Sequence, residues 1–433
     1  MRILIVSQFY PPETGAPQNR LSFLARWLAN AGHTITVVTA LPSYPLGAIF
    51  EPYRGRLVAD EREDGIRVIR TWLYATKSKG FLRRMLNYCS FSLLSIVAGT
   101  LLAGPQECVI VESPPLPLGL SGFIISRIKR AKFIFNVSDL WPESAVALGV
   151  LRRRSLIQIA TRLEEFLYRK ADVITGQTEG IVSNIRSRCT GKPKPIVLIS
   201  NGVDTEAFAA CKQRQENQLK IREHLGLSGQ FVVGYAGLMG LAQGLETVIE
   251  SARTLSCFQN ISFLFVGDGP EKLHLMKSVT EAGLRNVLFV PAQPASRMPE
   301  ILSAFDVALV PLKRHVLFKG ALPSKMFEAM GAGVPVICSV DGEARRVVEE
   351  SEGGIYVEPE RADQLADAVL HVYRTPDLKE VLGENGRRYV ETKFNRADSA
   401  KKFESILART FSMIPEPSTM GPPTSVSVDV KNG

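Results

Sequence analysis

The chain opens on an apolar run, RILIVSQFY (2–10), followed by NRLSFLARWLANAG (19–32), whose apolar residues recur every three to four positions until Gly32. The first predicts a buried strand and the second an amphipathic helix with a glycine stop. HTITVVTA (33–40), CVIVE (108–112), KFIFNV (132–137), DVITGQ (172–177) and PIVLIS (195–200) repeat the strand pattern, with helical periods between them. Strands that are apolar throughout are buried on both faces, which implies a parallel sheet covered by helices. The pattern then restarts with FVVGYAG (231–237), the helical GLETVIESARTL (244–255) and ISFLFVGDG (261–269). NVLFVP (286–291), VALVPL (307–312), VPVICS (334–339) and GGIYVE (353–358) continue it.

The fold class predicted is therefore α/β, two doubly wound domains facing a central cleft at the carboxyl ends of their sheets. Residues 1–200 form the first domain and 201–385 the second, joined near SNGVDTEAF (200–208). Residues 386–411 read as closing helices, and 412–433, rich in Pro, Ser and Thr, as a disordered tail.

Composition changes this picture in two places. Residues 1–200 carry 26 Lys/Arg against 14 Asp/Glu, whereas the remainder is slightly acidic within a net charge of +9. A basic first domain suggests an anionic partner: lipid headgroups, a lipid-linked phosphate or nucleic acid. No aromatic-basic array supports nucleic acid, and none is expected. The longest apolar stretch, FSLLSIVAGTLLAG (91–104), has 14 residues where a span needs about 20. It reads as a buried helix or as one lying in a membrane interface, the latter motivated by Lys77, Lys79, Arg83 and Arg84 just before it. The MRILIVSQFY start reads as a strand rather than a signal peptide. Six cysteines and five histidines show no metal or redox spacing, so no metal is expected and a reducing compartment is.

The chemistry concentrates in GALPSKMFEAMGAGVPVI (320–337). A turn at Gly320–Leu322, with Pro323 suited to a first helical position, would start a short helix whose free amides attract an anion. Lys325 would add a full charge to the same phosphate. Glu328, one turn on, could accept hydrogen bonds from a ribose diol. The plainer reading is an exposed i,i+3 ion pair. The first loop, with Gly15 and Ala16, permits tight passage before another helix start. Asp139 in NVSDLWPES (136–144) falls at a strand's carboxyl edge, where it could polarise a sugar hydroxyl or simply cap the next helix. GYAGLMG and VGDGP are not G-x-G-x-x-G, which disfavours hydride transfer.

PPETGAP, GHTITVVT, SNGVDTEAF, VGDGPE, AFDVALVP and SKMFEAMGAGVPVI together resemble retaining glycosyltransferases of family 4, of the two-domain GT-B class, up to about residue 411. YPLGAIFEPYRGR, FNVSDLWPESAVALG, GYAGLMGLAQGLE and LPSKMFEAMGAG resemble in particular bacterial surface-polysaccharide transferases of the fucosamine-transferase type. The resemblance implies two Rossmann-like domains with C-terminal helices crossing back. A UDP-sugar would sit on the second domain, near Leu322, Ser324, Glu328, Gly237 and Gln243, and a polyprenyl-diphosphate-linked saccharide on the first, near Gly15 and Ala16. Asp139 and Lys325 are the implied catalytic residues. It implies no cofactor and no metal, retention of configuration, and a cytoplasmic protein at the inner face of the plasma membrane. The family's first glutamate falls at Gly320, its usual Arg and Lys at Leu238 and Gln243, its histidine at Ser138, and its Gly-Gly at Gly15-Ala16. Those departures leave two other expectations standing: an inactive sugar-nucleotide-binding scaffold, or a UDP-sugar 2-epimerase.

Overall fold

The computed structural model describes residues 1–411 apart from 79, 148, 150, 192 and 210–213. The expected tail, Lys79 and Cys211 lie outside the described residues. Two sheets form. The first contains β1 (Arg2–Val6), β2 (Thr34–Ala40), β3 (Val58–Glu63), β4 (Ile66–Thr71), β5 (Cys108–Ser113), β6 (Lys132–Val137), β7 (Val173–Gly176) and β8 (Ile196–Leu198). Their order is β3-β4-β2-β1-β5-β6-β7-β8. The second contains β9 (Phe231–Ala236), β10 (Ile261–Val266), β11 (Val287–Val290), β12 (Val307–Pro311), β13 (Val336–Ser339) and β14 (Gly354–Tyr356), ordered β11-β10-β9-β12-β13-β14. Central strands are buried on both faces, Ile3 to Val6 completely, as their unbroken apolar runs require.

All pairings are parallel except β3 with β4. That hairpin was not anticipated, because VADERE carries four charges in six residues. Its acids pair within the fold: Arg67 forks onto Asp60, and fully buried Arg70 takes Glu61, Glu63 and the Pro11 carbonyl at 2.7–2.9 Å. Two carboxylates and a carbonyl offset the burial of this guanidinium at Nε and Nη2, while its Nη1 has no hydrogen-bond partner. The first strand also ends at Val6, four residues earlier than expected, and the first helix begins at Ala16 rather than Asn19. The intervening loop is thus free to line a site.

The 91–104 stretch is neither fully buried nor short. The helix runs Phe81–Val97 and continues as a π-turn to Leu102, 22 residues containing an 18-residue stretch of mean hydropathy 1.6, long and apolar enough to cross a membrane by length and composition. Phe91, Ala98 and Gly99 are buried, while Leu82, Leu86, Leu93, Val97 and Leu101 face outward.

The chain crosses between domains twice, side by side. Val203 and Asn395 form an isolated parallel bridge, closed by Val203 N–H to Phe394 O and Arg396 N–H to Val203 O, both 2.9 Å. Beyond it the helix Arg396–Phe411 returns to the first domain, packing Ala400, Phe403, Ile406 and Leu407 with Leu21, Leu24 and Leu28.

Candidate active site

In both sheets the strand order reverses beside the first strand of the domain, at β1/β5 and at β9/β12. The loops leaving β1 and β9 therefore part to open crevices, and the two crevices face one another. Between them lies a cleft of about 1330 Å³. Gly15, Ala16, Asp139, Gly237, Gln243, Leu322, Ser324, Lys325 and Glu328 all line it, so every anticipated site residue reaches one cavity.

On the second domain the helix Ser324–Gly331 starts at the cleft, with Pro323 at its cap rather than in its first turn and no side chain capping it. Its first amides and dipole favour an anion there. Lys325 does not pair with Glu328 as an exposed couple. Its Nζ donates to the Tyr235 hydroxyl at 2.7 Å and lies 4.0 Å from the centre of that ring. Burial lowers the Lys325 amine to about pH 7, opposed by the Glu328 charge. Burial likewise holds the Glu328 carboxyl above its usual range, against the pull of Arg396 and then of Lys325. An anion arriving beside Lys325 would favour its charged form. Gly237, at φ 138°, is required by its backbone, a conformation that side-chain-bearing residues rarely adopt, and it lies directly beside Lys325. Gln243 is largely spent on its own loop, its Oε1 accepting the Gly240 N–H at 3.1 Å.

On the first domain Gly15 leaves room for the Gln18 side chain, whose Oε1 would stand 2.6 Å from a Cβ. Glu13, also in this loop, is buried and accepts the Ser43 and Tyr44 amides at 2.8 Å each; burial lifts its carboxyl to about 7. Asp139 is open to the cleft but enclosed by protein on its other sides, and this burial raises its carboxyl despite bonds from Ser144 and the Leu140 amide. It thus braces the turn before the Glu143–Ala147 helix while presenting a carboxylate to the cleft.

Beneath Asp139 is a network that sequence reading missed. Arg20 donates to Glu112 at 2.6 Å, to Ser138 Oγ at 2.9 Å and to Asn201 at 3.1 Å. Glu112 also takes Ser138 and Asn136, and Gln177 donates to Ser138 at 2.6 Å. Ser138, where the family carries histidine, is therefore saturated within the floor and leaves Asp139 as the open group. The available signal was an arginine on the apolar face of the first helix and a glutamate ending the apolar run CVIVE. Neither names its partner without the fold.

Gly320, where the family's first glutamate would stand, faces Gly180 of the first domain, and Glu343 Oε1 takes the Gly180 N–H at 2.6 Å. Among the described residues no group of three or more His, Cys, Asp or Glu could hold a metal ion.

This geometry is matched by comparison with known proteins. Residues 15–202 match the model described as "Glycosyl transferase 4-like domain", and residues 217–389 that described as "Glycosyl transferases group 1". The chain is 25% identical over 414 residues to WcaI of Escherichia coli (strain K12), named for colanic acid biosynthesis glycosyl transfer; 93% of this chain and 98% of that one are covered. It is 26% identical to the capsular polysaccharide biosynthesis glycosyltransferase CapM of Staphylococcus aureus, over 72% of this chain and 80% of that one. Among solved structures, Anabaena Alr3699/HepE in complex with UDP-glucose superposes with a TM-score of 0.70 at 18% identity, covering 94% of this chain and 100% of that one. The lipopolysaccharide glycosyltransferase WaaG gives 0.66 at 16% identity, covering 93% and 99%. With a glycosyl transferase 4-like domain followed by a group 1 domain around one cleft, the chain is a glycosyltransferase of the GT-B fold.

Proposed function

We propose that the protein moves an N-acetylated hexosamine, deoxy forms included, from a UDP-sugar to a saccharide carried on a polyprenyl diphosphate, with retention, in bacterial surface-polysaccharide synthesis. Within the family the reading is of the fucosamine-transferase type. The observation that carries it is the meeting of Lys325, the Ser324–Gly331 helix start and Glu328 in the cleft that also holds Asp139. Relatives named for colanic acid and capsular polysaccharide biosynthesis support the pathway class, and the UDP-glucose complex of HepE supports the nucleotide.

In this mechanism the acceptor hydroxyl oxygen bonds to the anomeric carbon on the face that the diphosphate leaves. The bond from that carbon to the β-phosphate oxygen breaks, the hydroxyl proton passes to that oxygen, and UDP departs. Negative charge grows on the diphosphate, so Lys325 and the helix dipole act where stabilisation counts most, without a metal. Glu328 accepts the ribose hydroxyls, and Asp139 orients a sugar hydroxyl. Gly15 and Ala16 allow the acceptor's approach. The protein would act as a peripheral protein at the cytoplasmic membrane face, where the outward leucines of the Phe81–Leu102 helix and Arg83 and Arg84 would meet anionic lipid.

The test is calorimetric titration of the purified protein with UDP, GDP, TDP and NAD, with and without magnesium, followed by turnover assays with UDP-hexosamines. Preference for metal-free UDP and turnover of an N-acetylated hexosamine is expected. Binding without turnover would favour the scaffold reading; no nucleotide binding would overturn the donor site.

A further inference from the structure

We infer that Tyr235 is the positioning residue of this site, holding the Lys325 ammonium toward the cleft in place of the cations that the β9 loop lacks. The inference rests on the phosphate role proposed above for Lys325. Tyr235 lies at the end of β9, at the strand reversal, and is 1% exposed. A buried phenol must satisfy both its donor and its acceptor. Here the O–H donates to the Leu238 carbonyl at 2.5 Å, which leaves the oxygen lone pair to accept Lys325 Nζ at 2.7 Å.

A lysine side chain otherwise samples many rotamers, and fixing it costs entropy at the moment of binding. The tyrosine ring, its centre 4.0 Å from Nζ, and its hydroxyl at 2.7 Å confine it beforehand. One ammonium donor is committed to Tyr235; the remaining two serve a ligand. The same hydroxyl ties the lysine to the Leu238–Gln243 loop. That loop offers a half-exposed leucine and a glutamine engaged with Gly240, so it contributes a carbonyl rather than a charge.

Tyr235 also packs on Phe265, with ring centres 6.0 Å apart, so a purely structural role is the rival explanation. The two are separated by titrating UDP into the native protein, Tyr235→Phe, Lys325→Ala and the double variant. Tyr235→Phe keeps ring and volume but loses the hydroxyl. It should weaken UDP on the order of ten-fold, the scale of a hydrogen bond to a charged group, and should weaken it no further in the Lys325→Ala background. The fall of UDP affinity at alkaline pH should also move to lower pH in Tyr235→Phe, because the charged amine has lost an acceptor.

Equal weakening in both backgrounds, or none in the native background, overturns the inference. If Lys325→Ala leaves UDP affinity intact, the donor-site reading fails instead, and with it the basis for this one. Should Tyr235→Phe lower the melting temperature, Phe265→Leu supplies the control. It disturbs the same core without touching Lys325, and an equal affinity loss from it would mark the effect as structural and overturn the assignment.

Discussion

Gly180 of the first domain and Gly320 of the second lie against each other: a Cβ built on Gly180 falls 3.3 Å from the Gly320 Cα. A Cβ on Gly320 would itself meet only ordinary contacts, 3.8 Å from the Gly180 Cα and 3.9 Å from Glu343 Oε1, so a glutamate there would bring a second carboxylate beside Glu343 at the domain contact. Gly320→Glu should therefore lower activity although it restores the family residue. Like-charge repulsion of about 1.4 kcal/mol at this contact corresponds to a loss of about ten-fold in kcat/KM. Steady-state kinetics with small-angle scattering would check it, the scattering reporting a larger radius in the variant. Activity at or above the native level would mean the contact opens freely.

Replacing Lys325 by alanine removes the charge nearest the helix start. Donor KM should rise and kcat should fall by roughly one to three orders of magnitude, as for the loss of one preorganised charge stabiliser. Unchanged kinetics would remove the residue from the mechanism.

Glu328→Gln should weaken UDP while leaving the melting temperature near native. Calorimetry comparing UDP with uracil is informative, since a ribose contact predicts a loss for the nucleotide alone.

The amine of Lys325 is lowered by burial to about 7, so the ligand-free protein near neutral pH holds it only partly charged. A diphosphate binds the charged form and should take up a proton there. UDP affinity should consequently fall as pH rises above about 7, by up to ten-fold per unit. Titration in buffers of differing ionisation enthalpy reads the proton count directly, and zero uptake at pH 8 would contradict the linkage.

Glu13 makes the opposite kind of prediction, one about stability. Its folded-state value is raised to about 7, above that of the unfolded chain. Its contribution is therefore fully present below about pH 4.5 and is lost as pH climbs through 7. Glu13→Gln keeps an acceptor for the Ser43 and Tyr44 amides without the buried charge. Its melting temperature relative to native should thus improve between pH 5 and pH 8, by the equivalent of one to about three kcal/mol. A difference independent of pH would show that Glu13 is not ionising in that range.

Much of this molecule was legible in its sequence because unbroken apolar strands and periodic helices are driven by burial, which composition records. The cleft residues were legible for a related reason: glycines, a proline and paired charges at a strand-to-helix turn have few other uses. What escaped reading depends on partners far away along the chain. VADERE folds as a strand because Arg67 and Arg70 of the neighbouring strand reach its acids, Arg67 pairing with Asp60 and Arg70 with Glu61. Arg20 is tolerated inside because Glu112, 92 residues on, meets it. The helix at Phe81 was underestimated because Arg83 and Arg84 interrupt its apolar count without interrupting its periodicity.

The double crossing at Val203 and Asn395 has a practical result. A single cut in the connector that follows Val203 would not release two domains, since the returning helix would still hold its apolar face on the first. Nor would residues 1–200 alone make a clean fragment: Leu21, Leu24 and Leu28 would lose the cover of Phe403 and Leu407. The chain is tied like a strap buckled back on itself, and its two halves must be made, moved and unfolded as one piece.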